Sequence, residues 1–276
     1  MAAAPLLLAF AVVVLVPLTL RAADVRGDMA RRLFLAYPLC AACALAAILL
    51  RDGIAPILGL VWLAYCALVA VLGVARVLAP GGRRIEELSL AAGCGYLAVG
   101  GAWFVLWRSG MAVGNFGEHV PLLTAIHFHY AGFVSPILVG LAGRRLRIRG
   151  GPPWRLFPPT ALVVIAGPAL VALGIAGVSP LEAPAAIVFA VGTGTAATLT
   201  LVGVVPDTSA LLARGLLALS SVAAIGAMLL AVVYAGTNAL GQAVLSLEDM
   251  ARFHGLTNAL GYTFCGVVAW NLRPRQ

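Results

Sequence analysis

All four histidines of this 276-residue chain stand in two short segments, and histidine is the side chain that gains and loses a proton near neutral pH. The first segment reads Glu118-His119-Val-Pro-Leu-Leu-Thr124-Ala-Ile-His127-Phe-His129-Tyr130. The second reads Glu248-Asp249-Met-Ala-Arg252-Phe-His254-Gly-Leu-Thr257-Asn258-Ala-Leu-Gly261-Tyr262. His254 and Asn258 are four apart and share a helix face. His127 and His129 are about 200° apart on a helix, so only a distorted helix turns both toward one point. The candidate catalytic set is one of His127 and His129 as acid, His254 as its partner and Asn258 as orienter, with the carboxylates Glu118 and Asp249 beside them. Trp103, Tyr130, Tyr234, Asn238 and Tyr262 are the candidates for lining a substrate site. Trp103 or Tyr130 would stabilise a carbocation by cation–π attraction.

The same residues have plainer uses. A buried histidine can simply hydrogen-bond helices together. Asp249 has the spacing of a helix cap, Glu118 and Glu248 that of interface charges, and Trp103 and Tyr234 suit an aromatic belt. His-x-His with a distant histidine is compatible with zinc or non-haem iron. Metal ligands on one helix face, however, stand three or four apart, and no HExxH occurs. Acid/base use is therefore preferred to metal binding, and no cofactor is expected.

The elements that must position these groups are membrane spans. Hydrophobic residues make up 62% of the chain and charged residues 10%, against about a quarter in soluble domains. Mean hydropathy is +1.04. Apolar runs long enough to cross a bilayer as helices recur along the chain, without the alternation of barrel strands. Spans are expected near 4–20, 33–50, 54–75, 87–107, 119–142, 159–177, 181–204, 212–235 and 249–271. The fold class is thus an all-α transmembrane bundle of about nine spans. It forms a single domain over residues 1–276 of a multi-pass cell-membrane protein. Cys40 and Cys43, in CxxC spacing, read as small residues one turn apart. Ser179 to Glu182, Asp207, and Ser246 with Asp249 supply helix-start signals.

The 18 basic residues are all arginine and cluster between spans. Clusters at Arg21 to Arg32, Arg76 to Arg84 and Arg144 to Arg155 alternate with segments holding only Arg51, Arg108 and Arg252. Positive charge stays cytoplasmic, which places the N-terminus outside and the C-terminus inside. This is topology charge rather than a polyanion-binding face, so nucleic acid is rejected as a partner despite the net charge of +8. His127 then lies roughly 10 Å and His254 roughly 7 Å into their spans, both in the outer half of the bilayer.

Three blocks carry a family resemblance: Glu87-Leu-Ser-Leu-Ala-Ala-Gly93 with Val99-Gly-Gly-Ala-Trp103, Leu123 to Phe133, and Met250 to Tyr262. In these the sequence resembles the YndJ-like family of bacterial membrane proteins. The resemblance implies a polytopic membrane protein and little chemistry. It marks Glu87, His127, His129, His254 and Asn258 as positions to test. Glu87 falls at the start of span four, far from the histidine layer. Either it has a separate structural role or span four is shifted.

Three functions compete. One is an intramembrane enzyme acting on a lipophilic isoprenoid- or polyketide-like substrate by cyclisation, isomerisation or epoxide opening. Another is a proton-coupled transporter or exporter of a small hydrophobic molecule, with the histidines as a relay. A third is a non-catalytic membrane scaffold. The partners expected are the lipid bilayer and a hydrophobic small molecule. The enzyme is preferred.

Overall fold

The computed structural model describes residues 4–25, 27–50, 53–111, 119–175 and 181–273. Within them the chain is all-helical, without strands. Eight helices are long and apolar enough to cross a membrane. They are α1 (Ala4–Ala22), α2 (Asp28–Leu49), α3 (Ala55–Leu78), α4 (Ile85–Ser109), α5 (Val120–Arg149), α6 (Pro152–Ile175), α7 (Glu182–Gly203) and α8 (Leu211–Ala239). A ninth, α9 (residues 247–272), is continuous helix but more polar, since it carries Glu248, Asp249, Arg252, His254, Thr257 and Asn258. The protein is a polytopic helical membrane protein.

Helices commonly outrun the apolar stretches that define the spans. The expected fifth span ends at residue 142, yet α5 continues to Arg149 and α6 starts again at Pro152. The arginine cluster is therefore mostly helical. Arg51, Asp52, Ser179 and Pro180 lie outside the described residues.

The chain divides into two compact units within α5, one formed by Ala2–Ile137 and the other essentially by Leu138–Gln276. In the first, glycines let α3 and α4 approach closely. A methyl added at Gly73 would lie 2.9 Å from the Ala91 carbonyl oxygen, and one at Gly101 3.2 Å from Cys66. This small-residue contact is the usual solution for helix pairing where lipid offers no hydrophobic driving force. The same unit answers the question of Glu87. Its Oε2 meets Arg76 Nη1 at 2.7 Å, while Arg76 Nη2 donates to the Ala23 carbonyl at the end of α1. Glu87 thus has a structural role, and α4 begins only two residues before the expected edge.

Among the described residues three helices contain π-helical turns: α1 at Ala11–Leu15, α5 at Phe128–Val134, and α9 at Met250–Gly255 and Thr257–Phe264. A wide turn takes carbonyls out of the regular ladder, and inside a bilayer only protein groups can satisfy them. In α1 the Tyr37 hydroxyl reaches the Val12 carbonyl at 2.5 Å and Tyr130 donates to Leu7 at 2.8 Å. In α9 the acceptor is the Tyr262 carbonyl and the donor is buried Ser220 of α8, at 2.7 Å. Gly266 makes room there, because an added methyl would stand 2.7 Å from Ser220 Oγ. Ser220→Ala removes the inter-helix donor to this carbonyl, which the Cys265 backbone N–H also reaches, and so unties α8 from the wide turn of α9. We expect a loss of about 2 kcal/mol in a micellar unfolding titration. Wild-type stability in that variant would show that the Cys265 donor suffices.

In the second unit, Asp207 does not cap α8 as its position suggested. Ala210 is the N-cap, without a side-chain bond, and Asp207 instead pairs with Arg149 at 3.2 Å. The pairing is more favourable because Arg149 is already placed by its hydrogen bond to the Gly203 carbonyl.

Candidate functional site

His129 lies on the wide turn of α5 and is fully buried. Its Nδ1 is 2.8 Å from the Ala125 carbonyl, which can only accept, so Nδ1 carries the proton. Trp62 Nε1, which can only donate, is 3.2 Å from Nε2. The ring is therefore the neutral Nδ1–H tautomer with both nitrogens engaged. The Trp62 ring lies nearly parallel to it, with centroids 6.1 Å apart, and stacks on Tyr65 at 5.4 Å. A methyl at Gly100 would sit 2.8 Å from His129 Nδ1, so glycine is what admits the ring against α4. His127 is half-buried and meets Phe128 edge-on at 5.4 Å. Only one of the pair thus enters the core beside α4.

His254 has the same bonding pattern in a different setting. Its Nδ1–H donates to the Ala227 carbonyl of α8 at 2.8 Å, and Asn258 Nδ2 donates to its Nε2 at 3.1 Å. Asn258 Nδ2 also lies 3.0 Å from the His254 carbonyl, which fixes the amide orientation. The expected sharing of a face by His254 and Asn258 is realised in this bond. Unlike His129, His254 is only half-buried. Its neighbours Phe253, Leu256 and Leu260 are 52%, 41% and 50% exposed, on the surface a bilayer would cover. His129 takes its partners from the first unit and His254 from the second.

The remaining candidates divide by what holds them. Asp249 forms a reciprocal capping box with Ser246: the Ser246 backbone N–H donates to Asp249 Oδ2 at 3.1 Å, and the Asp249 N–H to Ser246 Oγ at 3.0 Å. Tyr130 is buried with its hydroxyl committed to α1. Tyr262 is buried and contributes its carbonyl to Ser220. Trp103 and Tyr234 are half-buried and Asn238 is exposed. Glu118 lies outside the described residues. Among the described residues no three histidine, cysteine, aspartate or glutamate side chains converge in a metal-binding group.

Sequence reading passed over Trp62, whose partner is 67 residues away. A signal was present, since Trp62 stands well inside α3 rather than at an interface where tryptophan is usual. Glu86 was also overlooked, although it is 1% exposed at the head of α4 beside the marked Glu87. Glu86 and Glu87 are consecutive and stand about 100° apart on a helix, so the two carboxylates meet different surroundings.

The YndJ-like protein family matches residues 6–262. The uncharacterized membrane protein YndJ of Bacillus subtilis (strain 168) is 28% identical over 265 residues, covering 94% of this chain and 46% of that protein. The chain therefore spans about half the length of the curated relative it matches. No solved structure matches it. Because the family match runs from α1 through both histidine-bearing helices, the chain belongs to the YndJ-like family of polytopic membrane proteins.

Proposed function

We propose that the protein is an intramembrane acid/base enzyme acting on a lipophilic substrate, with His254 as the proton-handling group. The observation that carries this reading is the setting of His254: a neutral imidazole, half-buried, on a π-helical segment flanked by lipid-facing apolar side chains. Wide helical turns are frequent at functional sites, and an ionisable group within a span is a functional candidate by default. The Ala227 carbonyl holds Nδ1–H and orients the ring, leaving Nε2 as the basic atom. Asn258 covers Nε2 but has a second acceptor in the His254 carbonyl, so it keeps a partner when Nε2 takes a proton. Nε2 then removes a proton from one carbon of an unsaturated substrate and returns it to another. The Ala227 carbonyl stabilises the intervening imidazolium. The net reaction is isomerisation or cyclisation, with no oxidant or reductant required.

In this reading the buried His129 is a positioning group for α3, α4 and α5, since both of its nitrogens are closed within the core. The N-terminus-outside orientation belongs to the same proposal and is supported by the arginine distribution alone.

The test compares cells carrying wild type, His254→Gln or Asn258→Ala at equal protein abundance, by mass-spectrometric profiling of membrane extracts. His254→Gln is expected to lower one lipophilic product by about 100-fold while its precursor accumulates. Product that forms inside cells but fails to leave would favour the exporter. Identical profiles from well-folded variants would sink both readings.

A further inference from the structure

From the hairpin joining α3 to α4 we infer a binding site for one anionic phospholipid, with its phosphate held by Arg83 and Arg84 and one acyl chain laid along α3. The hairpin encloses an open cleft of about 500 Å³ lined by Val77, Leu78, Ala79, Gly81, Arg83 and Arg84. That volume falls within the range of roughly 300–1,000 Å³ usual for small-molecule sites. The turn holding the two arginines is tightly built. Gly82 N–H donates to the Ala79 carbonyl at 2.8 Å, Arg84 N–H lies 3.2 Å from the Gly81 carbonyl, and Gly81 has φ +75°.

The two guanidiniums are uncommitted. Among the described residues neither Arg83 nor Arg84 makes a hydrogen bond or ion pair through its side chain, and both are exposed. The neighbouring charges do not cancel them, because Glu87 is taken by Arg76 and Glu86 is buried. Arg149 and Arg214, by contrast, are already bonded to backbone carbonyls.

The apolar part of the site points to a lipid rather than a soluble anion. Leu68, Val71, Val74 and Leu78 form a continuous outward stripe on α3, 46%, 50%, 59% and 74% exposed. The opposite face of the helix buries Trp62, Tyr65, Cys66 and Val69. From Leu68 to Leu78 the stripe is roughly 15 Å long at 1.5 Å per residue. That is about half of a hydrocarbon core roughly 30 Å thick, the depth of one leaflet. It ends at the cleft, where a headgroup would lie. Basic pockets at the ends of spanning helices are the usual seats of anionic headgroups.

The experiment uses the whole purified protein, delipidated in detergent and titrated with dioleoylphosphatidylglycerol, with bound lipid counted by native mass spectrometry. Wild type is expected to retain one phosphatidylglycerol in preference to dioleoylphosphatidylcholine. The Arg83→Gln/Arg84→Gln variant should bind it about 30-fold more weakly, the effect of losing two guanidiniums at an anionic surface. Arg31→Gln/Arg32→Gln removes two exposed arginines outside the cleft and should bind normally. As a second handle, Val74→Asn/Leu78→Asn keeps the arginines and should weaken the dioleoyl lipid while sparing a short-chain phosphatidylglycerol. Unchanged binding by the Arg83→Gln/Arg84→Gln variant overturns the site. An equal loss in the Arg31→Gln/Arg32→Gln variant reduces it to diffuse surface charge and also overturns it. Inorganic phosphate binding as tightly as the lipid would overturn the lipid assignment.

Discussion

Gly100→Ala lowers the unfolding free energy by about 3 kcal/mol, the sum expected from an overpacked core and a disturbed buried hydrogen bond. The added methyl would stand 2.8 Å from His129 Nδ1, 3.0 Å from Cε1 and 3.3 Å from Phe128 Cβ. A flexible side chain would swing away, but this imidazole cannot. Its Nδ1–H is tied to Ala125, its Nε2 receives the Trp62 N–H, and its ring lies nearly parallel to that of Trp62. Relief therefore requires either breaking a hydrogen bond in a dry interior or separating α4 from α5. The control is Gly95→Ala on the same helix, where nothing lies within 4 Å of the new methyl. It should be neutral or slightly stabilising, since alanine is the better helix former. Unfolding titrations in mixed micelles measure both. Equal stability of the two variants would refute the steric account. Repeating Gly100→Ala in a His129→Ala background should recover at least about 1 kcal/mol, because residues in contact couple.

Arg76→Met is the second large effect, again about 3 kcal/mol, the cost of removing one partner of a mostly buried ion pair. Arg76 and Glu87 side chains are only 18% and 17% exposed. Arg76 also holds the Ala23 carbonyl at 3.1 Å, so one guanidinium ties the end of α1 to α3 and α4. Removing it takes away the donor that joins these two acceptors. Removing both charges, as Arg76→Met/Glu87→Leu, should restore more than half of the loss, since a desolvated pair replaced by apolar side chains is often near neutral. The measurement is a double-mutant cycle on unfolding free energy. A double variant as unstable as the sum of the two singles would show that the residues act separately.

Much of the architecture was legible because bilayer crossing imposes a simple rule, about twenty apolar residues with self-satisfied backbones. Span four was expected at 87–107 and the helix is Ile85–Ser109. The Ser246–Asp249 box was legible from its spacing, since a capping box joins residues three apart by construction. The His254–Asn258 contact followed in the same way from helical periodicity. These are local features, decided by residues within one turn of each other.

What the sequence determined by itself, then, is the membrane class, the placement of the spans, and the gathering of histidines on two of them. Tertiary structure decided which histidine is enclosed and by what. His129 is closed off by a tryptophan from α3 and admitted by a glycine on α4, and His254 is oriented by a carbonyl of α8. Tertiary structure also decided that Glu87 answers Arg76 and that Ser220 answers the Tyr262 carbonyl 42 residues away. The physical reason is common to all four. Inside a bilayer each buried donor and acceptor must find a partner, but the partner lies on another helix. Which helices meet is settled by small-residue contacts that hydropathy does not register.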